Sequence, residues 1–437
     1  MNEEIKKERK NVFTNKNFTL VFLGALVSNV ASLFYSFAVS FYILKITDNN
    51  ALIQGLYLAV GGLVFCVVSL FGGVISDRFN KAKIMYICDY LKGIIIIAFT
   101  LLLMFAIKSV TAKIVALFVV TVFSNGIAGI FSPASSALTP LIVEEDSLQQ
   151  AQSYFSILNS FQSIVGIILA GVLYTLIPIN TLFLIVGVCY ILSGISEMFI
   201  KYSSEFERCD EKLTLKVAFH DIKDGFHYLS TVKTLLILLI CSLFLNFFIT
   251  PVFENFGPYF IASDVANSNY LFNDKMAPEM WSSFFSVAFG IGSLIMGIIL
   301  SSIEQKEHYN KTIRYSLLAM VFTMITSAVF YILFRSSIIG INTLLIINII
   351  IYTLIGIWIV LINVPSSTVM LRIVDKDKLG KVSSVISIGS MGLTPVALLL
   401  GGLAITYLGA SGLLIVCTSG LLLIALIAFF SLRNSDL

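Results

Sequence analysis

The sequence predicts an all-α membrane protein of twelve transmembrane helices in two pseudo-symmetric six-helix bundles, and three observations lead there. The 437 residues are 58% hydrophobic and only 12% charged, with a mean hydropathy of +0.96, far from the roughly 25% charged content of soluble domains. Runs of Leu, Ile, Val and Phe repeatedly reach the ~20 residues a helix needs to cross the hydrocarbon core, whereas a membrane barrel would show alternating segments of about 10. Lipid offers no hydrogen bonds to a bare backbone, so each run must close its own, and helix follows from hydropathy. The third observation is an internal repeat. Moving the chain by 231 residues sets Ile142-Val143-Glu144 on Ile373-Val374-Asp375, Asp146 on Asp377, Leu148 on Leu379, Ser153 on Ser384, Ile157 on Ile388 and Gly171 on Gly402. Two bundles related by an axis along the membrane normal leave such a parallel repeat.

The spans fall at residues 18–45, 52–76, 84–107, 112–136, 153–177, 181–201, 234–261, 282–303, 314–335, 341–363, 383–408 and 411–431. An even number puts both termini on one side. With that side cytoplasmic, the inner connectors hold most of the Lys and Arg, including Lys6, Lys7, Arg78, Lys81, Lys83, Lys212, Lys378 and Lys381, and leave only Lys45, Lys108, Lys113, Lys275 and Arg335 outside. That asymmetry obeys the positive-inside rule, so the net charge of +3 reports topology and gives no nucleic-acid signal. Both termini are expected in the cytoplasm of a multi-pass protein of the cell membrane. Residues 1–16 are charged and carry no apolar stretch of their own, so the first span is expected to act as its own insertion signal. The longest connector divides the chain into an N-terminal bundle (1–201), a linker (202–233) and a C-terminal bundle (234–437). Within that linker Leu215, Ala218, Phe219, Ile222 and Phe226 recur at helical spacing, as in an amphipathic helix lying on the membrane. The longest outer segment, residues 263–280, reads as irregular. Glu197, near the inner end of the sixth span, reads as interfacial.

Enzyme and metal chemistry find no footing. The six cysteines are dispersed and five lie in apolar runs, where Cys behaves as a small hydrophobe. His220, His227 and His308 sit in hydrophilic connectors, and no Gly-x-x-x-x-Gly-Lys-Ser/Thr run exists to hold a nucleotide. No enzymatic activity, cofactor or metal is expected.

One charged turn stands out between the second and third spans, Gly72-Gly73-Val74-Ile75-Ser76-Asp77-Arg78-Phe79-Asn80-Lys81-Ala82-Lys83. Gly73 offers a place for close helix packing, and Asp77 can accept backbone N–H groups at a helix start or pair with a cation. The Gly-x-x-x-Asp-Arg-x-x-Lys-x-Lys pattern resembles motif A of the major facilitator superfamily of transporters, with Asn80 where the family usually has Gly. The resemblance implies a conformational latch made by Gly73, Asp77, Arg78, Lys81 and Lys83. In it Asp77 faces the eleventh helix and Arg78 reaches a carboxylate on the third, for which Asp89 is suitably placed. Asp89 shares a helix face with Lys92. The segments Phe131-Ser132-Pro133-Ala134-Ser135-Ser136 and Asp377-Lys378-Leu379-Gly380-Lys381-Val382 are similar to the bacterial drug-efflux branch that includes macrolide exporters. The antiporter signature of the fifth helix is incomplete, since Ile167 stands where Pro would be.

Polar residues within the spans mark a pathway. Asn29, Ser32, Ser36 and Ser40, with Tyr35 beside them, form a stripe on the first helix; Asn246, Thr250 and Glu254 recur every four residues on the seventh. Asn125 on the fourth helix and Asn348 with Tyr352 and Asn363 on the tenth complete the set, and the family resemblance implies that these four helices line the substrate cavity. For any single Asn or Ser, an interhelical hydrogen bond is an equal alternative. Glu254 and Asp89 are the candidates for proton coupling, because intramembrane carboxyls are costly and usually functional. The expectation is a proton-driven exporter of a lipophilic or amphipathic small molecule, an antibiotic such as a macrolide being one candidate, working as a monomer in the bilayer without nucleic acid. A lysophospholipid or siderophore transporter of the same fold is the alternative, and a non-transporting membrane receptor stands further off.

Overall fold

The structure is a computed structural model, and it describes residues 12–143, 147–201, 231–302, 309–374 and 392–431. The described residues are almost wholly helical. Helices α1 (Lys16–Ile46), α2 (Ala51–Arg78), α3 (Lys81–Phe105) and α4 (Val110–Ile142) follow one another through short turns. Asn80 caps α3 by accepting from the Lys83 N–H at 3.0 Å, and Ser109 caps α4 from Ala112 N–H at 3.2 Å. The fifth element, α5, is Leu148–Phe161 and Ile167–Leu176 joined by a π turn at Gln162–Gly166. Helix α6 is Ile179–Met198.

Helix α7 begins as Lys233–Pro251 and continues through π turns at Val252–Phe256 and Ile261–Val265, four residues past the predicted end. Next come α8 (Met280–Ser302), α9 (Tyr309–Arg335) and α10 (Ile341–Ile373), the last running ten residues beyond the expected boundary at 363. The run Thr394–Ser431 is two helices, α11 and α12, broken at Gly409, whose φ of 75° and ψ of 170° no helix contains. Ten of the helical stretches are long and apolar enough to cross a membrane unaided. Adding the π-interrupted α5 and separating α11 from α12 recovers the twelve expected spans. The proposed amphipathic helix in the linker lies outside the described residues.

Contacts group the chain into two units. Unit 1 is drawn from Met1–Ser36, Val64–Gln162 and Ile177–Lys212, and unit 2 from Phe37–Leu63, Ser163–Leu176 and Leu213–Leu437. The grouping cuts through α1, α2 and α5 and so follows spatial packing, while the sequence division at 202–233 follows the repeat.

In unit 1 an aromatic knot anchors the start of α1: Phe13 meets Tyr154 at 4.6 Å and Phe22 at 5.3 Å between ring centroids, and Phe18 is fully buried. Helices α3 and α6 approach backbone to backbone where Gly93 and Gly187 face each other, and a Cβ on Gly93 would lie 2.7 Å from the Gly187 carbonyl. In unit 2 the core gathers Phe256, Phe260, Trp281, Phe285, Met320, Met324, Tyr331, Leu344 and Leu345. One corner is tied by Asp264, which accepts from the Tyr331 hydroxyl at 2.7 Å and from Arg335 at 3.2 Å. Large apolar side chains are widely exposed along the helices. Phe105 and Phe322 are each more than 70% exposed, an arrangement that suits lipid and that water would not tolerate.

Candidate functional site

In unit 2 the site begins at Pro251. A proline inside a helix removes one N–H and crowds the carbonyl four residues back, and the chain responds with the π turn Val252–Phe256. Single-turn π bulges often mark functional positions. Here the turn buries Val252, Asn255 and Phe256 and leaves the Glu254 side chain accessible, though closely surrounded by protein atoms.

Around it, Tyr352 packs edge-on to Phe253 at 5.0 Å and stacks on Phe285 at 5.1 Å, and Asn348, one turn earlier on α10, is buried. Thr250 is half-buried on the same helix as Glu254. A residue that sequence reasoning passed over completes the group. Gln54 is wholly buried and donates to Ser40 Oγ at 3.2 Å and to the Glu254 backbone carbonyl at 3.4 Å, tying α2 to α1 and to the π turn. The lone amide in an apolar span was the available signal, since such groups rarely sit in a membrane without a partner. Asn255 was missed as well. It is fully buried beside Gly401, where a Cβ would come within 2.8 Å of its Oδ1.

Toward the other end of α7 lies a recess of about 370 Å³, walled by α7, α9 and α10. Leu238, Leu245, Ile249, Met320 and Ile359 supply apolar walls; Ser242, Asn246, Asn363 and Ser366 supply polar corners. Asn246 is exposed there, with its amide donating to the Ser242 carbonyl at 3.0 Å and its oxygen left for a guest. The extension of α10 beyond 363 places Asn363 and Ser366 on this wall.

The same unit contains a close contact made of backbone. A Cβ on Gly55 of α2 would lie 2.8 Å from the Leu398 carbonyl and 2.9 Å from the Gly402 Cα of α11, and one on Gly402 would lie 2.6 Å from the Ala51 carbonyl. Beside it Ser283 donates to the Ile167 carbonyl at 2.9 Å, and Asn49 to the Ala262 carbonyl at 3.2 Å. Ends of α1, α2 and α5 are thereby fastened to α7, α8 and α11.

The candidates in unit 1 are distributed differently. Asn29 and Ser32 are half-buried, Ser36 is exposed, and the Asn29 carbonyl accepts from Gln162 at 3.1 Å. Tyr35 turns to packing, 8% exposed with its ring 5.5 Å from that of Phe183. Asn125 is half-buried and donates to the Thr121 carbonyl one turn back, at 3.0 Å.

In the charged turn, Gly73 has open space where a Cβ would stand. The close approach belongs instead to Gly72, which sits against the Gly129 backbone of α4. This corrects the packing expectation by one residue: a helix turns about 100° per residue, so only one glycine of a pair can face a given neighbour. Lys83 is exposed at the start of α3, and Lys81 is half-buried. The side chains of Asp77 and Arg78, and residues 375–391 at the expected start of the eleventh helix, lie outside the described residues. Asp89 is buried at 3% exposure, and Lys92 holds its ammonium 4.6 Å from the centre of the Tyr190 ring. Glu197 overturns its interfacial reading, being 0% exposed in the contact between α6 and α1.

Ten membrane-length helical stretches among the described residues, polar residues gathered on helices one, two, seven and ten, and an apolar recess with amide corners describe a multi-pass membrane transporter. The Major Facilitator Superfamily family description matches residues 20–391, and the chain belongs to that superfamily, a family of transporters and not of enzymes. Among relatives, it is 24% identical over 304 residues to the uncharacterized MFS-type transporter YkuC of Bacillus subtilis, covering 68% of this chain and 66% of that one. It is 26% identical to macrolide efflux protein A of Streptococcus pyogenes over 294 residues, 67% of this chain and 68% of that one. Among solved structures, the fold is similar to that of a bacterial homologue of the iron transporter ferroportin in an inward-facing state. There the TM-score is 0.70 at 14% identity, covering 96% of this chain and 99% of the other.

Proposed function

We propose that the protein exports a lipophilic or amphipathic small molecule across the cell membrane by proton-coupled antiport, with both termini in the cytoplasm. A macrolide is one candidate cargo, supported by the distant kinship with macrolide efflux protein A. The observation that carries the reading is the recess on α7, α9 and α10. Its volume of about 370 Å³ falls in the roughly 300–1,000 Å³ range of small-molecule sites, and apolar walls with a few fixed polar groups are what such ligands need. Asn246 and Asn363 would orient the cargo.

Glu254 would carry the coupling proton. It is the accessible carboxyl at the π turn, with the Tyr352 phenol nearby, so protonation and cargo binding can compete for the same helix. The twofold repeat in the sequence supports two six-helix bundles, 1–201 and 234–437, that exchange access between the two sides of the membrane, with the charged turn around Asp77 and Arg78 as their latch and Asp89 as the expected partner of Arg78. A monomer in lipid suffices for this cycle.

The test is accumulation of a panel of lipophilic compounds of graded size in cells with and without the protein, with a protonophore control, followed by vesicle transport with Glu254→Gln. Lower accumulation that the protonophore abolishes supports the reading. The variant should lose gradient-driven export and retain exchange down a concentration gradient. Export that is indifferent to both protonophore and variant would sink the coupling assignment.

A further inference from the structure

Where α7 and α9 stop and α8 and α10 begin, unit 2 presents two loop tips that the transport reading does not use. The first is Leu271-Phe272 in the α7–α8 connector, and the second is Ser337-Ile338 between α9 and α10. Leu271 is 42% exposed, Phe272 59% and Ile338 68%.

Both tips are firmly built. Phe272 has a φ of 66° and Ser337 a φ of 59°, the left-handed region that a residue with a Cβ enters at a cost. The first tip is held by Tyr270, buried in the unit 2 core with its hydroxyl donating to the Met276 carbonyl at 2.6 Å. The N–H groups of Lys275 and Met276 both donate to the Phe272 carbonyl at 2.9 Å. In the second tip the N–H groups of Ser337 and Ile338 donate to the Phe334 and Leu333 carbonyls at 2.9 and 3.0 Å, a Schellman ending to α9. An apolar residue in the place of Ile338 commonly packs back on its own helix, yet Ile338 stays exposed. Asn342 joins the two tips, its Oδ1 accepting from the Leu271 N–H at 2.6 Å. Strain and hydrogen bonds together hold three apolar side chains in the open at one end of the unit.

The helix faces below show what covers them. On α9 the exposed residues Phe322, Ile325, Val329 and Ile332 recur at helical spacing and lead up to the second tip. On α10, exposed Ile346 and Ile350 stand one and two turns beyond exposed Asn342. Apolar stripes on membrane-length helices lie against lipid chains, so the tips stand where these stripes reach the membrane surface. Exposed Asp274 and Lys275 flank the first tip, and Arg335, paired with Asp264 at 3.2 Å, flanks the second; such groups suit the headgroup layer. Three side chains fall far short of the roughly 1,200–2,000 Å² that a specific protein interface buries, which favours the bilayer over a second copy of the chain.

We propose that Leu271, Phe272 and Ile338 form a bilayer-docking surface, an anchor that seats this end of unit 2 in the glycerol and headgroup layer of the phospholipid. It fixes the depth at which α9 ends and α10 begins, and Asn342 makes the two tips a single surface.

The test needs no cargo. Phe272→Trp and Ile338→Trp are made singly in the full chain and purified into phosphatidylcholine nanodiscs. The emission that each adds to that of Trp281 and Trp358 is followed with lipid brominated near the glycerol end of its acyl chains and, separately, with aqueous acrylamide. At both positions the added emission should be blue-shifted, lose most of its intensity to the brominated lipid and lose little to acrylamide. Because indole itself favours the interface, Asn267→Trp, at an exposed position of the same connector, is the control and should answer to acrylamide alone. Asn342→Ala should weaken the lipid quenching at position 272 and spare that at 338; no change at 272 counts against a joined surface. Quenching of both tips by acrylamide alone puts them in water, and quenching by neither puts them under protein, a second copy included; either result overturns the proposal. Equal lipid quenching at 267, 272 and 338 overturns it too, since any tryptophan on the connector would then enter lipid.

Discussion

Single residues decide much of the chemistry, and the sequence exposes some of them better than others. Glu254 stands out in the sequence as a carboxyl within an apolar run, and the π turn explains why its side chain is left accessible. Asn246 was visible as one of three polar residues recurring every four positions. Glu197 was misjudged because distance along the chain to a span end says nothing of the neighbouring helix, and it is Gly24 on α1 that makes space to bury it. Asn80 departs from the family pattern yet caps α3, a role any Asn before a helix can take. If Asn246 and Asn363 orient the cargo, Asn246→Leu and Asn363→Leu should each raise KM by roughly tenfold, the equivalent of one hydrogen bond of about 1–1.5 kcal/mol. Concentration dependence of transport in vesicles measures this, and an unchanged KM in both variants would remove the recess from the cargo path.

At the level of helices, hydropathy located every described span, and the ends deviated where the helix itself changed. Periodicity cannot register one extra residue in a turn, so the π turns of α5 and α7 were invisible, and α10 outran its apolar window because Ser366 and Ser367 are polar yet helical. The break between α11 and α12 rests on Gly409, which has nothing within 4 Å of a notional Cβ. The cost of replacing it is therefore conformational alone. Gly409→Ala should lower stability by about 1–3 kcal/mol, the strain of a non-glycine residue in that region of φ/ψ space, visible as a lower thermal midpoint in detergent. At Gly93 the reason differs, since a side chain there meets the Gly187 carbonyl. Gly93→Leu should separate α3 from α6 and lose folded protein outright, which size-exclusion yield reports.

For the molecule as a whole, the repeat and the charged turn are enough to suggest the family from sequence, because both are properties of loops and of chain order. The backbone contact in unit 2 was not legible: Gly55 and Gly402 are 347 positions apart, and although Gly402 matches Gly171 in the repeat, nothing in the sequence pairs it with Gly55. Gly55→Leu should prevent that contact from forming and slow transport at least tenfold while leaving the protein folded, and thiol labelling of a cysteine placed nearby should rise in parallel. Asp77→Ala tests the latch separately: reduced transport with normal yield is the expected result, and a wild-type rate would reduce the turn to a topology signal. The backbone contact at Gly55 and Gly402 also sets a tempo. Side chains change rotamer on picosecond to nanosecond times, whereas two backbones in contact part only when whole helices move, in microseconds to milliseconds. Opening at this point is therefore expected to be slow and collective, a parting of entire helices instead of the flicker of one side chain.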